Sequence, residues 1–125
     1  MGVQTLIVDD SPTARSVLRQ HLESLGFEIV GEAGTAADAL ELFRTLHPQL
    51  VTLDLLMPQV GGIDSKTFFR TIREEDPEVA VVVISAHPKG AERAEYVGRG
   101  ALAYFEKPFE FRTLAARLNR IFPGT

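Results

Sequence analysis

Five side chains in this sequence could serve one reaction: the adjacent acids Asp9 and Asp10, the acid Asp54, the hydroxyl of Ser85 and the ammonium group of Lys107. Three carboxylates sharing a pocket repel one another, and without compensation at least one would hold its proton above the usual range. A hard divalent cation relieves that repulsion. Magnesium prefers oxygen ligands, keeps several waters, and is commonly held by one or two carboxylates together with a phosphate. Lys107 adds a point positive charge that a phosphate oxygen can also use. A metal ion and a lysine would neutralise the equatorial oxygens of a transferring phosphoryl group while an in-line oxygen attacks. A carboxylate attacker would become an acyl phosphate. These residue types therefore fit phosphoryl transfer, provided the fold brings them together.

The elements that must do so alternate regularly. Val3 to Val8 reads as a first strand running straight into Asp9 and Asp10. Ser11 and Pro12 read as the cap and first position of a helix, since proline lacks the amide that a helix start leaves unpaired. Ala14, Val17, Leu18, Leu22 and Leu25 recur at helical spacing behind them, and Gly26 suits the left-handed position that ends the helix. Glu28 to Ala33 is a second strand. Thr35 and Asp38 open a second helix in capping-box form, with Ala39, Leu40, Phe43 and Leu46 inward and Pro48 as its stop. Leu50 to Leu53 is a third strand leading into Asp54. Gly61 and Gly62 open a loop before a third helix through Phe68, Phe69 and Ile72, ended before Pro77. Val79 to Ile84, the most apolar and β-branched segment, reads as a central strand buried on both faces and leads into Ser85. A fourth helix over about Gly90 to Val97, delayed by Pro88, precedes a fifth strand, Ala101 to Phe105, and a helix from Glu110 to Phe122. Alternation of this kind implies crossover connections and a doubly wound five-stranded parallel sheet with helices on both faces. In such sheets ligands bind beyond the carboxyl ends of the strands, where the strand order reverses. The order 2-1-3-4-5, taken by analogy with flavodoxin-like (βα)5 sheets, sets strands one and three side by side, so that the three carboxylates converge.

Composition excludes several alternatives. The 125 residues suit one domain spanning 1–125, and the 45% apolar and 24% charged residues are an ordinary globular balance. Cysteine is absent, which removes disulfide scaffolds and Cys-ligated metal sites. A net charge of −4 without a basic run disfavours direct nucleic-acid binding. The longest apolar run, Val79 to Ile84, falls far short of the ~20 residues that span a membrane. No signal-peptide pattern is visible, so a soluble, cytoplasmic domain is expected.

The segments Leu6-Ile-Val-Asp-Asp-Ser11, Leu53-Asp-Leu-Leu-Met-Pro58, Val83-Ile-Ser-Ala86 and Tyr104-Phe-Glu-Lys-Pro108 resemble the signature segments of the response-regulator receiver family of two-component signalling. Any one alone is weak; four in order at family-like intervals across essentially the whole chain are specific. The resemblance implies that Asp54 is the phosphoacceptor. It implies that Asp10 and Asp54 ligate Mg2+ directly, with Asp9 acting through water and the Leu56 carbonyl completing the protein's share. Ser85 would hydrogen-bond the phosphoryl group and Lys107 would pair with it. Tyr104 matches the aromatic that moves inward as the serine hydroxyl is drawn to the phosphate. Lys107-Pro108 matches a segment held as a cis peptide, an isomer that is cheap only before proline. The implied donor is a phosphohistidine on a sensor histidine kinase or histidine phosphotransfer protein. The implied readout is an output domain or target protein, with a phosphorylation-dependent homodimer as a further option. On this reading the chain is no enzyme beyond its own Mg-dependent phosphorylation and autodephosphorylation.

Each residue also has a plainer reading. Asp9 and Asp10 could be loop acids near a helix N-terminus, Asp54 a turn cap, Ser85 a polar strand end, Lys107 a solvated lysine and Tyr104 core. All must hold together to defeat the site. His21 and His47 read as structural or surface residues, and Arg15 and Arg19 as solvated helix faces. Leu56 carries no polar group to orient water, which predicts slow autodephosphorylation, an effect that His87 could oppose. An aspartyl-phosphate phosphatase places its acid/base aspartate two residues after the nucleophile, whereas here the acids are adjacent. A flavin module would meet two repelling carboxylates. A phosphorylation-independent, receiver-like interaction module remains the alternative.

Overall fold

The computed structural model describes residues 2–57, 62–86 and 90–123. Five strands alternate with five helices: β1 Gln4–Val8, α1 Pro12–Ser24, β2 Glu28–Ala33, α2 Ala36–Leu46, β3 Leu50–Leu53, α3 Ser65–Glu75, β4 Ala80–Ser85, α4 Gly90–Gly98, β5 Ala103–Glu106 and α5 Phe111–Ile121. All neighbouring strands pair in parallel, in the order β2-β1-β3-β4-β5. The doubly wound sheet is thus the one expected, and its reversal falls between β1 and β3.

Alternation along the strands sorts the core into two layers. Leu6, Val8, Val51, Leu53, Val81, Val83 and Tyr104 face one side, where Phe43 of α2 and Phe68, Phe69 and Ile72 of α3 cover them. Ile7, Leu50, Val82, Ile84 and Phe105 face the other, under Leu18 and Leu22 of α1 and Leu114 and Leu118 of α5. β3 and β4 are buried along their whole length, which is why these segments read as unbroken apolar runs.

Helix ends follow local chemistry. Ser11 caps α1 by accepting from the Ala14 amide with Pro12 behind it, and Thr35 caps α2 by accepting from Asp38. Gly26 takes the positive φ of 92° expected of it. The stop of α2 is His47, in the left-handed region at φ 48°, one residue before the expected Pro48. Asp64, unremarked in the sequence reading, caps α3 by accepting from Thr67. The fifth strand starts at Ala103 rather than Ala101, because the Ala101 amide donates to the Tyr96 carbonyl and closes the turn after α4 around Gly100. Ser85 is the last residue of β4 rather than the first beyond it. Pro58, Gly61, His87 and Pro88 lie outside the described residues.

Leu114 is fully buried beneath the sheet. Leu114→Ala should lower the unfolding free energy by about 2–5 kcal/mol in urea denaturation. A loss below about 1 kcal/mol would contradict this packing.

Candidate functional site

At the carboxyl ends of β1, β3, β4 and β5 the sheet gathers the acids, the hydroxyl and the lysine. Asp9 follows β1 and Asp54 follows β3, and each is only 5% exposed, whereas Asp10 is solvent-exposed. Carboxylate oxygens of Asp9, Asp10 and Asp54 lie within 4.8 Å of one another. The pairing of Val8 with Leu53 puts the two strand ends level, and the Asp54 amide donates to the Val8 carbonyl at 2.9 Å.

Lys107 enters from the end of β5. Its Nζ lies 2.7 Å from Asp9 Oδ2 and 3.6 Å from Asp54 Oδ2. Its amide donates to the Ser85 carbonyl, and the Lys107-Pro108 peptide is cis, as the resemblance implies. Burial by itself would push the Lys107 ammonium down, but the hydrogen bond to Asp9 and the charges of Asp54 and Asp9 outweigh it and raise its pKa. Asp54 moves further. Burial is the main cause; the Leu56 amide, donating to Oδ1 at 3.0 Å, and Lys107 pull the other way, and the charges of Asp9 and Asp10 add to the rise. The net result is a pKa of about 6.

The donors are hard oxygens clustered at the reach of one ion, the chemistry a magnesium-type cation selects, so the residues present fit the expected metal. Leu56 sits beside the cluster, its amide bound to Asp54 and its residue 45% exposed. Ser85 is fully buried at the end of β4. Its side chain hydrogen-bonds that of Tyr104, whose hydroxyl also donates to Glu92 of α4 at 2.7 Å. The Tyr104 ring is buried on the α3 side of the sheet, Arg93 lies over it at 5.4 Å, and burial followed by the Glu92 bond raises its pKa to about 12.

All of the site residues expected from the sequence, Asp9, Asp10, Asp54, Leu56, Ser85, Lys107 and Tyr104, therefore lie at this end of the sheet. Two polar residues there, Ser65 and Glu92, carry no sequence signal, and a third, Arg15, has a different environment from the one expected. Ser65, buried at the start of α3, donates to the Asp54 carbonyl at 3.1 Å. Glu92 binds Tyr104, and Arg15 binds the Asp9 carbonyl at 2.6 Å. The expectation of a solvated Arg15 is corrected: its side chain is only 20% exposed and is held by Glu32. The last turn of α1 places His21 against Phe111, ring centroids 4.5 Å apart, consistent with a structural histidine.

A five-stranded parallel sheet with this acid cluster at its switch point defines a receiver-type α/β domain. The sequence matches the family model for the response regulator receiver domain over residues 5–119, and the chain belongs to that family. It is similar to the chemotaxis protein CheY of Thermotoga maritima, 34% identical over 97% of this chain and 98% of that one. It is also similar to CheY of Bacillus subtilis, 31% identical over 96% and 98% of the two chains. Among solved structures, the CheX-CheY-BeF3-Mg complex from Borrelia burgdorferi superposes with a TM-score of 0.89 at 30% identity, covering 96% of this chain and 89% of that one. The protein is thus a receiver domain of the response-regulator type, a signalling class.

The raised pKa of Asp54 ties stability to pH. In the metal-free protein Asp54 holds its proton more tightly folded, at about 6, than unfolded, near 3.8. Folded stability from this group therefore falls as pH rises from about 4 through 6, and ionised Asp54 destabilises the fold above that. Asp54→Asn should raise the melting free energy by about 1–3 kcal/mol above pH 7, with the gain vanishing below pH 4. Thermal melts across this range check it; a gain independent of pH would contradict it.

Proposed function

We propose that the domain accepts a phosphoryl group on Asp54 and relays that event to a partner. The carrying observation is the convergence of Asp9, Asp10 and Asp54 within the reach of one ion, with Lys107 among them. Asp10 and Asp54 would hold Mg2+ directly, Asp9 would act through water, and the Leu56 carbonyl would complete the set. The ion, when bound, supplies charge neutralisation at the phosphoryl oxygens. One Asp54 oxygen attacks phosphorus, the bond from phosphorus to the departing atom breaks, and the leaving group keeps the electron pair. For a phosphohistidine donor that atom is a ring nitrogen, and a proton on the other ring nitrogen leaves the imidazole neutral. Lys107 turns from Asp9 and Asp54 toward a phosphoryl oxygen, and the Ser85 hydroxyl donates to another.

The donor is a sensor histidine kinase or histidine phosphotransfer protein, and the recipient of the signal is an output domain or a target protein. The CheY of the Borrelia complex pairs with CheX in the presence of Mg and BeF3, which supports both the ion and a protein target here. Ser85, Tyr104, Glu92 and Arg93 form the switch: a phosphoryl group drawing Ser85 toward Asp54 competes for the hydroxyl that Tyr104 now shares. The exposed, apolar Leu56 side chain supports slow loss of the phosphoryl group.

Incubation with acetyl phosphate and Mg2+, followed by intact-mass measurement, tests the proposal. Wild type should gain the mass of one phosphoryl group and Asp54→Asn should gain none. An equal gain in both, or none in either, would refute it.

A further inference from the structure

All four polar atoms of Asp9 are held. Its amide donates to the Ala33 carbonyl at 3.0 Å, Oδ1 accepts from the Ser11 amide at 2.9 Å and Oδ2 from Lys107. The carbonyl lies beyond the last paired residue of β1, Val8, and accepts from Arg15 Nη1 at 2.6 Å. Arg15 is itself anchored: its Nε lies 3.2 Å from Glu32 Oε1 on β2, while Glu32 Oε2 takes Arg19 at 2.6 Å. Room for the guanidinium comes from Gly34, where an added Cβ would stand 3.2 Å from Arg15 Nη1.

This arrangement fixes the peptide joining Asp9 to Asp10. A carbonyl held by a charged donor cannot rotate freely, and that peptide plane sets where both carboxylates point. We propose that Arg15, braced by Glu32, is a positioning residue that aims the Asp9-Asp10 pair at Asp54 and thereby sets the domain's affinity for a divalent cation. The proposal rests on the phosphoacceptor reading above and assigns to that site a residue that touches neither the ion nor the phosphoryl group.

Charge and position make opposite demands, so signs decide between them. Acting only through its charge, Arg15 repels a cation; Arg15→Gln would then tighten binding, and Glu32→Gln, which removes a negative charge, would weaken it. Acting through position, both substitutions loosen the Asp9-Asp10 peptide and both weaken binding. Gly34→Ala changes no charge but brings a Cβ to 3.2 Å from the guanidinium, so on the positional account it displaces Arg15 and weakens binding in the same direction. Arg15→Lys keeps the charge but lacks the fork that reaches Asp9 and Glu32 together, so it should not restore wild-type affinity.

The test is Mg2+ titration by isothermal calorimetry at fixed ionic strength on the full chain, with urea unfolding of each metal-free variant alongside. Arg15→Gln should raise the Mg2+ dissociation constant about 10-fold, the lower end of what loss of a ligand-orienting partner produces, and Glu32→Gln and Gly34→Ala should raise it in the same direction. The Mg2+ concentration for half-maximal phosphorylation by acetyl phosphate should shift in parallel, by more than the rate at saturating Mg2+. Tighter binding in Arg15→Gln with weaker binding in Glu32→Gln overturns the proposal, as does wild-type affinity in folded Arg15→Gln. Should Arg15→Gln fail to fold, Gly34→Ala and Arg15→Lys decide on the same criterion. If wild type itself shows no saturable Mg2+ binding and no mass gain, the phosphoacceptor reading fails first and this inference falls with it.

Discussion

Mutual repulsion among Asp9, Asp10 and Asp54 is the constraint on which the rest of this structure depends. Two of the three are buried, in a place where an uncompensated charge is far more costly than in water. Lys107 relieves part of the repulsion, and the Leu56 and Ser11 amides relieve more by donating to Asp54 and Asp9. Asp54 still titrates near 6, chiefly because burial penalises its charge, with the charges of Asp9 and Asp10 adding to the rise. A site left with surplus negative charge and oxygen donors within the span of one ion is prepared for a hard cation and for an electrophile carrying anionic oxygens.

Four strands and three helices hold that imbalance in place. The parallel order puts β1 beside β3, so the two acidic strand ends meet without any long loop. β4 and β5 bring Ser85 and Lys107 to the same edge, tied by the amide of Lys107 on the carbonyl of Ser85. Ser65 ties the start of α3 to the Asp54 carbonyl, and Arg15 ties α1 to that of Asp9. Tyr104 stands where the site meets α4: its hydroxyl is shared between Ser85 and Glu92, and Arg93 covers its ring and binds its carbonyl at 3.1 Å. A change at Ser85 therefore bears directly on a helix at the surface.

Much of this was legible in the residues. β3 and β4 announced themselves because burial on both faces leaves no room for polar alternation, and Ser11-Pro12 and Thr35 announced helix starts because their chemistry is local. The strand order was borrowed by analogy, since period and capping say nothing of which strands adjoin. Boundaries slipped where tertiary bonds decide them, as at Ala101, whose amide is taken by Tyr96. His47 went unread as a helix stop because a left-handed histidine leaves no pattern. The partners of Arg15, Ser65 and Glu92 lie on other elements, and a basic, hydroxyl or acidic residue on a helix looks alike whether it faces water or a buried carbonyl.

The central claim is that the acid cluster, and no other carboxylates of this acidic chain, forms a divalent-cation site. Substoichiometric Mn2+ added to isotope-labelled protein reports this through paramagnetic broadening in nitrogen–proton correlation spectra. The amides of Asp9, Asp10, Asp54, Leu56 and Lys107 should broaden first, while those of Gln4 and Gln49 at the opposite strand ends persist. Broadening centred instead on Glu28, Glu75 or Glu95, or spread evenly over the chain, would contradict the account.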